Sequence, residues 1–299
     1  MNKLEDFVMS PLAVVCHDAG AANLIVAWLK DYKSEARVCM EGPAKIIWER
    51  NFPDNKLLPI NKVMDDSNTL LSGTGWGNLE YEARIQAKKR NIKNIAVIDH
   101  WTDYKGRFIR NEKELLPDLI FVSDKYAYKK AKISFPSISI IQFPNNYLQL
   151  EANLVSSARV RECQTPIENI LIIAEPFREK ILGKESTLEY IAIEFLMSNL
   201  NKINLSRNLV NMTLRLHPSE PLDKYNFLQN KYQDFVTEFI IGRNRELYED
   251  IAWADLVVGM SSFALVVSLF AGVPTMSILP PGSKHYVLPY EEIMYLRDQ

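Results

Sequence analysis

The chain has 299 residues, 47% hydrophobic and 24% charged, with a formal net charge of -2. That length supports one large or two medium domains with real cores, and the near-neutral charge disfavours nucleic acid gathered by bulk electrostatics. Cys16, Cys39 and Cys163 lack CxxC spacing, no basic-then-apolar leader opens the chain, and no apolar run approaches about 20 residues; a reducing cytoplasm without a membrane span is expected. Peripheral membrane contact and oligomeric state stay open.

In chain order, an apolar strand over 12–16 ends in His17-Asp18-Ala19-Gly20 and runs into a helix over 21–32. A strand over 36–40, a helix over 43–51, and a strand closing on Ser72-Gly73-Thr74-Gly75-Trp76-Gly77 follow. Then come a helix over 78–91, strands over 94–98 and 118–122, a basic helix over 126–132 and a strand over 138–142. A polar helix over 148–161 and the breaker-rich 163–166 mark the domain boundary. Alternation then begins afresh, with strands over 169–174, 210–216, 235–240, 256–259 and 275–279. Helices are expected over 188–204, 222–232, 246–254 and 261–271, and a helical tail over 290–297 could pack back on the first domain. Such alternation predicts two α/β, Rossmann-like domains facing across a cleft, residues 1–160 and 165–299.

Open α/β sheets bind ligands at the carboxyl ends of their strands, so the strand-end motifs are the candidate site. Arg215-Leu216-His217-Pro218 and Gly259-Met260-Ser261-Ser262 end two strands of the second domain. A helix starting at the serine pair offers unpaired N–H groups, hydroxyls and a positive dipole end, which suits a phosphate; the plain alternatives are a helix cap and a strand terminus. Arg178, after Glu175-Pro176-Phe177, can clamp a phosphate bidentately or be a surface arginine. Asp65-Asp66 resembles no metal-binding arrangement, so neither metal nor other cofactor is expected, and Lys125, Lys129, Lys130 and Lys132 read as a solvated helix face.

In the first domain, Asp18 can take a proton from a hydroxyl or simply cap the first helix. His17 and Asn23 flank it as substrate contacts. Thr74, Trp76 and Glu80 around the glycine turn can receive a sugar ring, the alternative being an ordinary βα turn. The run from Asp99 through His100, Trp101 and Tyr104 to Arg107 concentrates titratable and aromatic groups after an apolar strand. It reads as an acceptor or catalytic loop, with Asp99 the rival to Asp18 as base.

The run from Tyr248 to Leu265 with Ala271-Gly272-Val273-Pro274 resembles the donor-binding half of GT-B-type glycosyltransferases. With Arg215-Leu216-His217-Pro218 added, it resembles the bacterial sialyltransferases and polysialyltransferases of that build. The resemblance implies a metal-independent glycosyltransferase of surface polysaccharide or glycoconjugate synthesis, using a CMP-sialic-acid-like donor and a carbohydrate acceptor. His217 would then contact the donor phosphate and protonate the departing nucleotide, with Arg215, Pro218, Ser261 and Ser262 holding it. One departure is plain: where many nucleotide-sugar transferases carry a ribose-gripping glutamate, this chain has Val266, Val267 and Ser268. The alternatives are a nucleotide-sugar hydrolase or 2-epimerase of the same fold, or a non-catalytic nucleotide-sugar-binding module.

Overall fold

The structure is a computed structural model and describes residues 3–160, 162, 166–176, 188–205, 210–218, 220–283 and 288–299. The chain divides into two compact units, Met1–Tyr147 and Leu148–Gln299. The boundary expected at 160–165 thus falls earlier. The physical reason is Arg159, whose guanidinium donates to the Ile251, Ala252 and Ala254 carbonyls and so ties the preceding helix into the second unit.

The first unit runs β1 (Leu12–Cys16), α1 (Ala19–Leu29), β2 (Ala36–Met40), α2 (Gly42–Asn51), α3 (Ile60–Met64), β3 (Thr69–Ser72), α4 (Leu79–Arg90) and β4 (Lys93–Ile98). A small antiparallel hairpin, β5 (Ile109–Arg110) and β6 (Lys113–Glu114), precedes β7 (Leu119–Val122), α5 (Lys125–Ser134) and β8 (Ser139–Gln142). The six main strands form one parallel sheet in the order β2-β1-β3-β4-β7-β8. Every residue of β1 is buried, as a strand covered on both faces must be. Leu12, Val14 and Cys16 join one core with α1 residues and Trp48 of α2. Ala13 and Val15 join another with Val63 and Met64 of α3 and Ala83 and Ala87 of α4. The two-residue period of β1 therefore splits the core between two layers.

The second unit takes in most of α6 (Asn146–Ala158), then β9 (Asn169–Ile173), α7 (Leu188–Ser198), β10 (Asn211–Arg215), α8 (Asn226–Tyr232) and β11 (Glu238–Gly242). It continues with α9 (Leu247–Trp253), β12 (Leu256–Gly259), α10 (Phe263–Phe270), β13 (Thr275–Ser277) and β14 (Met294–Tyr295). Its strands are parallel in the order β11-β10-β9-β12-β13-β14. Buried Asp255 accepts hydrogen bonds from the Glu168 and Asn169 backbone N–H groups and the Asn169 side chain, fixing where β12 enters beside β9. The tail expected to be helical instead adds β14 to this sheet, followed by a single 3-10 turn at Leu296–Asp298. Fully buried Leu296 explains the difference, since it anchors the tail in the second unit's core.

Both expected Rossmann-like domains are present. Strand order reverses between β1 and β3 in the first sheet and between β9 and β12 in the second. Such switch points open a crevice at the carboxyl ends of their strands.

Candidate active site at the strand ends

At the first switch point the chain leaves β1 through His17 and Asp18. The His17 ring donates through Nδ1 to Asp18 Oδ1 at 2.7 Å. Asp18 occupies the N-cap position of α1 with an extended backbone but makes no side-chain cap hydrogen bond, so its carboxylate serves the imidazole and not the helix. That bond is the main reason the His17 pKa is raised above its ordinary 6.5, with partial burial opposing it. Gly42, at φ 52°, lies against the other edge of the ring: a Cβ there would stand 2.6 Å from Nε2.

Glu80, expected to touch substrate, is fully buried. Its Oε1 accepts the His17 backbone N–H at 2.8 Å, while Oε2 has no hydrogen-bond partner. Burial raises its pKa above the model-peptide value of 4.5. One turn on, Arg84 is also fully buried; Nη1 donates to the Gly73 carbonyl at 3.1 Å, Nε and Nη2 are unpartnered, and burial pulls its pKa down to about 10.

At the end of β4, Asp99 accepts from Arg107 Nη1 at 3.1 Å, and its Oδ2 covers Gly20 so closely that a Cβ there would lie 1.8 Å away. The same Nη1 meets Thr74 Oγ1 at 3.2 Å, and Thr74 donates to the Val97 carbonyl at 2.9 Å. Thr74 and Arg107, both expected to meet substrate, are buried braces that join the β3 and β4 turns. His100 is half-buried with Nδ1 3.0 Å from Thr102 Oγ1, and Asn23 is half-buried on α1.

Two expected substrate contacts are core residues instead. Trp101 is 2% exposed and donates through its indole N–H to Asp124 Oδ2 at 2.7 Å. Tyr104 is 5% exposed, with its hydroxyl on the Ala127 carbonyl at 3.3 Å, and burial raises its pKa. Trp76 behaves oppositely: it is 56% exposed, with the Arg107 and Arg110 guanidinium carbons 5.9 and 6.0 Å from its ring. Arg110, which the sequence did not single out, also clamps the glycine turn through the Gly75 and Gly77 carbonyls.

At the second switch point Ser261 is buried, and both its groups meet one carboxylate. Its backbone N–H donates to Glu175 Oε2 at 2.9 Å, and its hydroxyl to Glu175 Oε1 at 3.2 Å. Ser262 caps α10 by accepting from the Ala264 N–H. The serine pair is therefore a helix cap with a glutamate already seated on it. Glu175 carried no signal beyond its position at the end of β9.

Arg215, expected to hold a phosphate, is committed elsewhere. Its Nη1 donates to Asp250 Oδ2 at 2.6 Å and to the Arg245 carbonyl at 2.7 Å. The His217–Pro218 turn is fixed by Glu220, whose Oε2 accepts the His217 N–H at 3.0 Å, and by Arg243, which donates to both of the turn's carbonyls. Pro218 is exposed and His217 half-buried. Arg178 lies outside the described residues. Among the described residues no group of three His, Cys, Asp or Glu side chains is arranged to hold a metal ion, and no helix is long and apolar enough to cross a membrane.

No protein-family model matches the chain, and no curated protein matches its sequence. Among solved structures it is similar to the UDP-GlcNAc 2-epimerase of Methanocaldococcus jannaschii in complex with UDP-GlcNAc and UDP, with 12% identity and a TM-score of 0.60 over 89% of this chain and 83% of that one. It is also similar to the Neisseria meningitidis UDP-GlcNAc 2-epimerase bound to UDP-GlcNAc, with 12% identity and a TM-score of 0.57 over 89% and 82% of the two chains. The Rickettsia bellii UDP-N-acetylglucosamine 2-epimerase gives 10% identity and a TM-score of 0.56 over 89% and 78%. At such identities the likeness establishes the fold, a GT-B-like pair of parallel-sheet domains. These neighbours are epimerases, so the sialyltransferase branch of that fold gains no support from them.

Proposed function

We propose that this protein is an enzyme acting on a nucleotide-activated sugar, and that its chemistry is proton transfer at the sugar in the manner of a 2-epimerase. The observation that carries this reading is the gathering of two acid–base centres at one switch point: the His17–Asp18 pair at the end of β1 and Asp99 at the end of β4. Inversion at C2 requires a proton to leave one face of the ring and another to arrive at the opposite face. Two separate acid–base groups meet that need. Asp18 orients the imidazole and raises its basicity, which makes Nε2 of His17 the proton-accepting atom, and Asp99 the partner. The fold shared with enzymes crystallised with UDP-GlcNAc supports a nucleotide sugar as the ligand class.

The test is proton NMR of UDP-GlcNAc incubated with the protein in D2O, alongside calorimetric titration with UDP and CMP. Loss of the C2 proton signal with UDP preference supports the reading. Retention of that signal at enzyme concentrations that bind the nucleotide overturns it.

Glycosyl transfer is the second reading, and exposed Trp76 beside two guanidiniums favours it, because an accessible indole face suits a saccharide acceptor. Under that reading a CMP-linked donor is consumed only when an oligosaccharide acceptor is present, with His217 acting on the leaving phosphate.

A further inference from the structure

Four features converge on Glu80. It is fully buried on the first turn of α4, and its Oε1 takes the His17 backbone N–H at 2.8 Å. The same oxygen lies 3.2 Å from where a Cβ at Gly73 would stand and 3.0 Å from one at Gly75, so the glycine turn is closed around this carboxyl. Its Oε2 and two nitrogens of Arg84 are buried without hydrogen-bond partners. A buried carboxyl left without a full partner set costs stability, so the bond it does make, to the His17 N–H, marks what it is placed to do.

We propose that Glu80 is the positioning residue of the His17–Asp18 pair: its wedged carboxyl holds the His17 backbone N–H and thereby sets the turn that directs Nδ1 onto Asp18. The argument is steric and directional. His17 and Asp18 are adjacent in sequence, and neighbouring side chains meet only when the intervening backbone is held in one conformation. The chain there has left β1, and its carbonyls are held on one side only: the His17 carbonyl accepts the Ala44 N–H at 3.0 Å and the Asp18 carbonyl the Ala22 N–H at 3.2 Å. The bond from Glu80 fixes the remaining side, the His17 N–H, from a different element. Its functional meaning rests on His17–Asp18 being the reacting pair, but the arrangement itself is testable without a substrate.

The experiment uses the full chain labelled with 15N-histidine, its His17 signals assigned by comparison with His17→Ala. The charged groups facing the ring are Asp18 on its own turn, Glu80 from α4 and Glu41 ahead of α2, with Asp99 on the strand end beyond; all but Glu80 are left unchanged. In the wild type the ring 15N shifts show the neutral form to be the Nδ1-protonated tautomer. Glu80→Gln keeps an acceptor in the same place and retains that signal. Glu80→Asp draws the carboxyl back by one methylene and loses it, as does Glu80→Ala, with the His17 titration moving down toward 6.5. If Glu80→Asp and Glu80→Ala fold and keep the wild-type Nδ1-protonated 15N signature, the proposal is overturned. Loss of the signal in Glu80→Gln as great as in Glu80→Asp overturns it too, because the charge and not the acceptor would then be responsible. If either shortened variant fails to fold, the folded one and Glu80→Gln decide. Once turnover is measurable, Glu80→Asp lowers kcat with KM unchanged. Full turnover in His17→Ala would sink the proposed reaction while leaving the NMR result standing.

Discussion

Removing Asp250 separates two roles for Arg215, which the sequence offers to a phosphate and the structure gives to a carboxylate. The pair is held at 2.6 Å with side-chain exposures of 17% for Arg215 and 5% for Asp250. Deleting one partner of such a buried pair costs about 3–5 kcal/mol, because the other charge is left buried and uncompensated. Arg215 keeps the Arg245 carbonyl and some solvent, so the lower end applies, about 3 kcal/mol. For a unit of this size each kcal/mol moves Tm by about 2–4 °C, so Asp250→Ala lowers the second unit's transition by about 6–12 °C. The paired replacement Arg215→Met with Asp250→Leu recovers most of that loss, since no charge is left stranded. The assay is calorimetric unfolding of each variant beside titration with UDP and CMP. If Arg215→Ala weakens nucleotide binding tenfold while both single variants melt like the wild type, the pairing argument is refuted and Arg215 belongs to the phosphate.

The other predictions concern the two strand-end sites. Gly20→Ala has compatible helical backbone and ordinarily gains up to about 1 kcal/mol of helix propensity; here its Cβ displaces Asp99 from Arg107, so it loses stability and most turnover, read by thermal melts and the D2O assay. Asp18→Asn returns the raised His17 pKa toward 6.5, so the acidic limb of the pH–rate profile moves to lower pH. The sign for stability follows: a raised histidine pKa stabilises fully below 6.5 and the gain is lost as pH rises through the folded value, so this variant is weakened only on the acidic side, by under about 1 kcal/mol for so exposed a pair. Trp101→Phe removes the indole N–H donated to the Asp124 carboxylate, costing about 1–3 kcal/mol in urea unfolding without changing nucleotide affinity. His217→Ala leaves the Glu220 bond to its backbone N–H intact, so the fold persists in melts; under the glycosyl-transfer reading consumption of a CMP-linked donor falls at least about a hundredfold, and under the epimerase reading the D2O exchange is unchanged.

What the sequence revealed and concealed divides by the range of the interaction. The parallel strands of both sheets were legible because their buried faces are continuous apolar runs, as in Leu12–Cys16 and Asn169–Ile173. Ser262 as a cap was legible too, being a local matter of side chain and helix start. Arg215 was misread because its partner Asp250 lies on α9, and nothing in the His-Pro motif points there. The dense segment from Asp99 to Arg107 mixed two populations that composition cannot separate. Asp99 ends the strand at the surface of the site, while Trp101 and Tyr104 turn inward to meet Asp124 and Ala127. The two-residue β14 has no periodicity to read; only Met276 and Ser277, its neighbours across the ladder, define it as a strand.

The two switch points also differ in what charge they can accept. Around His17 the groups are Asp18, Glu41 and Glu80, which favour a proton on the imidazole, and with Asp99 beside the preceding Cys16 they make a setting that repels a phosphate. At Ser261 the donors point outward from a helix start, the kind of position that takes an anion, and Glu175 supplies one from within the chain. A nucleotide phosphate arriving at Ser261 would meet a like charge on the very donors it needs. Binding there therefore requires the Glu175 carboxylate to move off Ser261, whereas proton chemistry at His17 requires its carboxylates to stay where they are. On the proposed reading the proton would move where a buried Glu80, hemmed in by two glycines, sets the His17 turn, and the phosphate would be taken where one side chain, Glu175, now occupies the donors.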